Sequence, residues 1–204
     1  MKPKNQLSKI AFLLIIVALA GCDWLNPNKE ETDPSKTMGK VGNYWTASIQ
    51  GLGSATITID SNSGGNVIAS IPYNGQEYQV EGKVTDNGFY DYVYSNGDKS
   101  KPFPLVKFDA NVGDKWGYKI GNLTATREVV KKSTTDDTPY GFMYIKTIDV
   151  LETVPAGMEI AGGVSRVKTI LWKFNHKFGF ISAEITKTDN TKVTVNQNDT
   201  NADL

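Results

Sequence analysis

The sequence has almost none of the residue types on which soft-metal and nucleophilic sites depend. Its 204 residues include one cysteine, Cys22, and one histidine, His176. Zinc sites of the common kinds need several His or Cys ligands, which this chain cannot supply. A catalytic triad would need His176, which lies between two predicted strands and is expected to be a turn residue with an exposed ring. We therefore expect no catalytic residue, no metal site and no cofactor.

An excess of charge of one sign is also missing. The 22 Lys and Arg residues balance the 22 Asp and Glu residues, and no segment concentrates the basic ones. A nucleic-acid-binding protein typically carries a basic patch or stripe. Nucleic acid is therefore not an expected partner.

Long hydrophobic runs are absent except for one near the amino terminus. Residues 10–20 (IAFLLIIVALA) are all apolar and follow Lys2, Lys4 and Lys9. This run is too short for a transmembrane helix, which needs about 20 residues. A buried core helix is the alternative, but a charged segment followed by a short apolar one is typical of a secretory leader.

The apolar run ends in small residues that lead directly to the single cysteine, as Leu19-Ala20-Gly21-Cys22. This segment resembles the lipobox of bacterial lipoproteins. The resemblance implies a diacylglyceryl thioether on Cys22 and cleavage by signal peptidase II before it, with Leu19, Ala20 and Gly21 recognised during processing. Two or three acyl chains hold a protein firmly, because each buried CH₂ contributes about 0.8 kcal/mol. The implied location is the cell envelope, extracytoplasmic and anchored to a membrane, with the inner and outer membranes both open.

The chain divides into four predicted segments. Residues 1–21 are the signal peptide, and residues 22–42 are the lipidated cysteine with a polar, flexible tether. Residues 43–197 form one β domain, and residues 198–204 form a disordered tail.

The predicted domain alternates apolar and polar residues with a period of two, which favours strands over helices. Turn sequences such as Asn74-Gly75 separate the strands and favour an antiparallel meander. Two prolines in residues 101–108 suit an edge strand or a crossing segment rather than a central strand. The fold class is therefore all-β, as a single antiparallel meander-type sandwich or an open, curved barrel-like sheet. The predicted strands are residues 44–49, 55–60, 67–73, 77–86, 89–95, 101–108, 114–120, 123–133, 142–154, 164–175, 178–188 and 191–197.

One aromatic pattern offers a candidate binding surface. In FYDYVYS (89–95), strand alternation places Tyr90, Tyr92 and Tyr94 on one face. Tyrosine combines apolar area with a polar tip, so an exposed ladder of this kind suits a sugar ring or a partner protein. Packing of the same rings into the core is the alternative.

Three segments of the second half of the chain resemble a pattern found in envelope lipoproteins that have no assigned activity. The segments are Asn111–Trp116, Val154–Met158 and Phe178–Ile181, the last preceded by Trp172, with Met158 where the pattern usually has Phe. The resemblance implies an extended antiparallel sheet and no catalytic residues.

The expected function is a lipid-anchored envelope lipoprotein with a non-catalytic, β-rich binding or interaction domain. Its expected partners are the membrane, through the acyl chains on Cys22, and a glycan or another envelope protein. The alternatives are a glycan-active hydrolase that uses a carboxylate pair, a carrier of lipids or other hydrophobic ligands, and a structural or assembly subunit.

Overall fold

A computed structural model describes residues 38–49, 53–73, 76–92, 94, 98–160 and 166–202. The predicted leader, the lipobox and residues 22–37 of the predicted tether lie outside the described residues. The strands are β1 (Tyr44–Ile49), β2 (Gly53–Ser63), β3 (Asn66–Tyr73), β4 (Gln76–Thr85), β5 (Gly88–Asp91), β6 (Phe103–Lys107), β7 (Lys115–Ile120), β8 (Leu123–Lys132), β9 (Thr138–Tyr140), β10 (Met143–Ile145), β11 (Ile148–Thr153), β12 (Val167–Asn175), β13 (Gly179–Lys187) and β14 (Lys192–Thr200).

Twelve of these strands form one antiparallel sheet, in the order β6-β5-β4-β3-β2-β1-β14-β13-β12-β11-β8-β7. Strands β9 and β10 form a separate two-stranded hairpin. The all-β prediction is confirmed, and of the two predicted forms the single curved sheet is the one adopted. No helix that could cross a membrane occurs among the residues that the structure describes.

The alternation seen in the sequence sets which side chains face the core. On β2, Ala55, Ile57 and Ile59 are buried, while the threonines between them are only partly buried. β-Branched residues suit a surface of this kind, because their stiff side chains pack against neighbours across the pleat. Large aromatic residues, including Trp45, Trp172, Phe174 and Phe180, fill the concave side.

Because neighbouring strands run antiparallel, every second connection lies at the same end of the sheet. We call the end at which β1 begins the proximal end and the opposite end the distal end. The connections at the proximal end are residues 64–65, 86–87, 108–114, 133–147 and 176–178. The β9–β10 hairpin belongs to the connection 133–147, between β8 and β11.

The two edges of the curved sheet approach each other along a line that we call the seam, where side chains near β7 and β8 bind carbonyl groups of residues 104–110. Trp116 Nε1 donates to Pro104 O at 2.8 Å, and Arg127 Nη1 donates to Leu105 O at 2.7 Å. Lys132 Nζ donates to the carbonyls of Phe108 and Ala110. Because Pro104 has no N–H group, β6 is poorly suited to a complete set of backbone hydrogen bonds with a neighbouring strand on each side. Side-chain donors close the sheet instead, and of the two predicted alternatives for this segment the edge position is the one adopted.

Both predicted boundaries of the β domain differ from the structure. Met38 is 3% exposed and belongs to the core, although the sequence assigned residues 38–42 to the tether. Strand β14 continues to Thr200, and Ala202 is 2% exposed, so the predicted disordered tail is wrong for residues 198–202. Long-range bonds explain this, because the Asn201 side chain accepts from the backbone of Tyr44 and donates to Gly42 O.

The predicted strand 142–154 is divided in the structure. The ladder between β8 and β11 stops at the pair Lys132 and Ile148. Beyond that pair, residues 133–147 turn back on themselves as the β9–β10 hairpin, whose turn contains Gly141 with a positive φ of 55°. Glycine adopts that conformation without the steric cost of a Cβ atom.

Candidate functional site

The three tyrosines predicted as a ligand platform do not form one exposed face. Strand β5 ends at Asp91, whose carboxylate accepts the backbone N–H of Tyr94 at 3.0 Å and so turns the chain. Tyr92 is 4% exposed and donates its hydroxyl to Asn66 Oδ1. Tyr90 is half-buried on β5, and Tyr94 packs against the core with its ring 4.0 Å from that of Tyr118. The hypothesis of an exposed platform is therefore wrong, and the alternative, packing against the core, describes Tyr92 and Tyr94.

A cluster of buried polar groups lies inside the curved sheet, beneath the seam. Arg127 on β8 and Glu152 on β11 are both fully buried and are direct cross-strand partners. Arg127 Nε and Nη2 donate to Glu152 Oε2 at 3.0 and 2.8 Å. Trp172 Nε1 donates to the same oxygen, and the Tyr118 hydroxyl donates to Glu152 Oε1 at 2.6 Å. Each carboxylate oxygen thus has a donor, which offsets the cost of burying the charge.

Aromatic rings enclose the charged pair. The guanidinium carbon of Arg127 lies 5.4 Å from the ring centres of both Phe103 and Trp172. Stacking of this kind favours Arg over Lys, because a planar guanidinium presents its faces to rings and its edge to a carboxylate.

Burial and the charges of the cluster shift the tyrosine and arginine pKa values. Burial, followed by the negative charge of Glu152, raises the pKa of Tyr118 far above its ordinary value, and the same causes raise the pKa of Tyr94. Burial is the largest single influence on Arg127 and lowers its pKa, but the combined effects of Glu152, Tyr94, Tyr118 and Asp91 outweigh it, so the pKa is raised. The cluster therefore holds one fixed ion pair and neutral phenols at physiological pH.

Neither member of this ion pair was predicted from the sequence, although a signal was present. Ala125, Arg127 and Val129 are alternate residues of β8, so their side chains lie on the same face of the strand, and that face is buried. Glu152 likewise alternates with Val150 and Val154, and all three side chains are buried. A charged residue in phase with buried apolar neighbours predicts a buried, paired charge.

A pocket opens at the proximal end, where several strand ends meet. Phe108, Ile148 and Phe174 form its apolar floor, and all three are buried. The cavity that it encloses has a volume of about 30 Å³. Its polar residues are Lys132, Ser133, Lys146, Thr147 and His176.

The polar residues of this proximal pocket are basic or uncharged. Lys132 reaches across the seam to two carbonyls, and burial lowers its pKa despite the nearby carboxylates of Asp109 and Asp114. His176 lies in the turn between β12 and β13 and is half-buried, so the expected exposed ring is wrong. The Asn175 side chain holds this turn by accepting the N–H groups of Lys177 and Phe178.

A second, more open groove follows the outer side of the seam. Lys107, Asp109, Asp114 and Lys115 contribute charges of both signs, and Lys107 Nζ lies 5.2 Å from the ring centre of Trp116. Because the groove carries charges of both signs, it favours neither an anionic nor a cationic ligand. Within the described part of the chain, no group of three or more His, Cys, Asp or Glu side chains is placed to hold a metal ion.

Comparisons with known proteins add a structural likeness but no family. No protein-family model matches the chain, and no curated protein matches it. Among solved structures, the chain is similar to a protein from Bacteroides fragilis whose crystal structure is described as having a YmcC-like fold. The two share 13% sequence identity with a TM-score of 0.43, over 78% of this chain and 95% of that one.

Proposed function

We propose that the chain is a lipid-anchored cell-envelope protein whose β domain binds, without catalysis, an apolar ligand that carries negative charge. The anchor rests on the segment Leu19–Cys22, which follows a short apolar run and a lysine-containing start. Acylated Cys22 holds the domain outside the cytoplasm without a membrane-spanning segment. The inner and outer membranes remain equal alternatives.

The observation that supports ligand binding is the composition of the proximal pocket. Small-molecule sites are concave and mostly apolar, with a few polar groups that fix orientation, and they have volumes of roughly 300–1,000 Å³. The proximal pocket is much smaller, at about 30 Å³, so it holds only a small apolar group of the ligand and leaves the rest at its rim. The proximal pocket has an apolar floor, and its three ionisable lining residues, Lys132, Lys146 and His176, are all basic. This arrangement favours a hydrophobic ligand with an acidic group over a neutral glycan.

Two features of the hydrogen bonding support a binding role without catalysis. Ser133 donates its single hydroxyl proton to Asp137 Oδ1 at 2.6 Å, so that proton is not directed to His176. Glu152 accepts four hydrogen bonds and lines neither of the two pockets described above. A general acid or base must instead reach a substrate proton.

The binding proposal is tested with two fluorescent probes of similar shape, the anionic 8-anilinonaphthalene-1-sulfonate and the uncharged N-phenyl-1-naphthylamine. We expect the protein to bind the sulfonate more tightly. Lys146→Glu with His176→Glu should weaken sulfonate binding several-fold and change binding of the uncharged probe little, because only the rim charge is altered.

Lys119→Glu is the matched control, since Lys119 is exposed on β7 and lines neither pocket. Equal binding of the two probes, or an equal loss in the control, would exclude an anion-selective pocket.

A further inference from the structure

The tip of the β9–β10 hairpin exposes large apolar side chains to solvent. Phe142 at the turn is 97% exposed, Tyr144 is 63% exposed and Met143 is 37% exposed. Soluble proteins expose single apolar residues routinely, but three consecutive ones at a projecting tip are the kind of patch that marks an interaction site.

The base of the same hairpin is fixed to the domain. Ile145 is 4% exposed, and the hydroxyls of Thr138 and Thr147 are 3.2 Å apart within the structure. The ring of Tyr140 packs 4.9 Å from that of Phe178, whose carbonyl accepts the indole N–H of Trp45 on β1. The hairpin is therefore held beside the start of β1, with its apolar tip directed away from the core contacts.

Other exposed apolar residues also collect at the proximal end. Val41 precedes β1 and is 54% exposed, and Val112 in the connection 108–114 is 60% exposed. Ile120, at the distal end of β7, is 39% exposed. Among the described residues, which leave out much of the distal connections, the exposed apolar side chains therefore lie mainly at the end from which the chain leads back to Cys22.

The length of that chain limits how far the proximal end can lie from an anchored Cys22. Met38 is in the core, sixteen positions after Cys22. Sixteen residues span at most about 55 Å when fully extended, at roughly 3.3–3.6 Å per residue. The hairpin tip therefore lies at the end of the domain that the tether holds within about 55 Å of an anchored Cys22.

We propose that the β9–β10 hairpin is a second membrane contact, which inserts Phe142 and its apolar neighbours into the interfacial region of the bilayer that carries the anchor. This inference rests on the lipid anchoring proposed above. Aromatic residues favour the membrane–water interface, and a lipid anchor with a second weak contact binds more firmly than either one alone.

The charges beside the tip are compatible with a lipid headgroup surface. Lys146 follows the hairpin and Lys177 lies in the neighbouring turn, whereas Asp137 is bound by Lys131 and Ser133. Asp136 is the remaining acidic side chain of this connection.

Two contact points fix the orientation of the domain, so the mouth of the proximal pocket faces the bilayer.

The test uses the single thiol of the chain to attach the domain to lipid independently of any cellular processing. The chain from Cys22 onward is coupled through Cys22 to a maleimide headgroup in vesicles of phosphatidylethanolamine and phosphatidylglycerol. One preparation carries p-benzoyl-phenylalanine in place of Phe142, and the control carries it in place of Ile120. After illumination, we expect lipid adducts by mass spectrometry at position 142 and few at position 120.

Equal labelling at the two positions, no lipid adduct at position 142, or cross-links from position 142 to another protein copy would overturn the membrane contact. Native lipidation is measured separately, from the mass of the Cys22 peptide isolated from cells. An unmodified peptide there would refute the proposed anchor and leave the vesicle result to stand by itself.

A second measurement uses variants at an exposed position that has no role in the core. On vesicles, amide hydrogen exchange of residues 138–145 should slow in the wild type and in Phe142→Trp. It should stay at the vesicle-free rate in Phe142→Asp, because a charged side chain does not enter the interface. Equal protection in the Asp and Trp variants would contradict the insertion of this side chain.

Discussion

Arg127 donates two hydrogen bonds to a single oxygen of Glu152, through Nε at 3.0 Å and through Nη2 at 2.8 Å. The same guanidinium reaches across the seam to Leu105 O with Nη1. One buried side chain therefore connects the β8–β11 ladder to the opposite edge of the sheet. Its loss affects both the ion pair and the closure of the fold.

Replacing Glu152 with Gln should lower the free energy of unfolding by about 3–5 kcal/mol, because the change leaves the Arg127 charge buried without its partner. Urea denaturation measures the change. Glu184→Gln is the matched control, since Glu184 forms an exposed ion pair with Lys192 at 2.7 Å. Exposed pairs contribute about 0–1 kcal/mol. Similar losses in the free energy of unfolding of the two variants would show that the buried ion pair stabilises the fold no more than the exposed one.

Stability should fall at alkaline pH through Tyr118. Burial and the Glu152 charge raise the pKa of Tyr118, so its phenol stays protonated in the folded chain after the unfolded chain ionises at its ordinary pKa of about 10. The contribution of this group is complete below pH 10 and is lost as the pH rises above that value, by up to about 1.4 kcal/mol per pH unit.

Tyr118→Phe should make the decline above pH 10 shallower, with a residual slope from Tyr94. The variant should also be less stable at neutral pH, because it lacks the hydrogen bond to Glu152. Denaturation curves at several pH values separate the two effects. An unchanged alkaline slope would contradict the assignment to this phenol.

Gly88→Ala should disrupt the pairing of β5 with β6. A Cβ atom at Gly88 would lie 2.0 Å from the carbonyl oxygen of Val106, and the backbone φ there is +153°. We expect a loss of roughly 3 kcal/mol or more in the free energy of unfolding, because backbone atoms must move. Gly121→Ala is the control, with a φ of +58° and no atom within 4 Å of the added Cβ. It should cost only about 1–2 kcal/mol.

Cys22→Ala should abolish acylation, because no other thiol is present in the chain. Metabolic labelling with palmitate should give no labelled product, and the precursor should keep residues 1–21. Asp23→Asn is the control, since it leaves Leu19–Cys22 unchanged and should be labelled normally. Normal palmitate labelling of Cys22→Ala would refute the lipoprotein assignment.

The bounds of single strands were predictable where alternation is strong and local. The predicted strand 44–49 coincides with β1, and the prolines of 101–108 correctly disfavoured a central strand. Local alternation failed at Tyr92 and Tyr94, because the Asp91 carboxylate ends β5 by binding the backbone of Tyr94. It also failed at residues 198–202, whose order depends on bonds to β1 more than 150 positions away.

The candidate sites depended on register between distant segments. Arg127 and Glu152 each stand in the core phase of a strand, but their pairing is set by the β8–β11 register across 25 positions. The proximal pocket joins Phe108, Ile148 and Phe174 from three separate strand ends. No local pattern states which strand ends will meet, because that depends on how far the sheet curves.

The sequence by itself determined that the domain is all-β, because a period of two can bury one face of a strand and not of a helix. It also placed the single thiol next to a lipobox-like segment, a relation that involves only neighbouring residues. The tertiary structure decided how the sheet closes, which charges are buried as a pair, and that the apolar hairpin lies at the end of the sheet where β1 begins. Those features arise from long-range packing, where a one-residue change in register would exchange every inward and outward side chain.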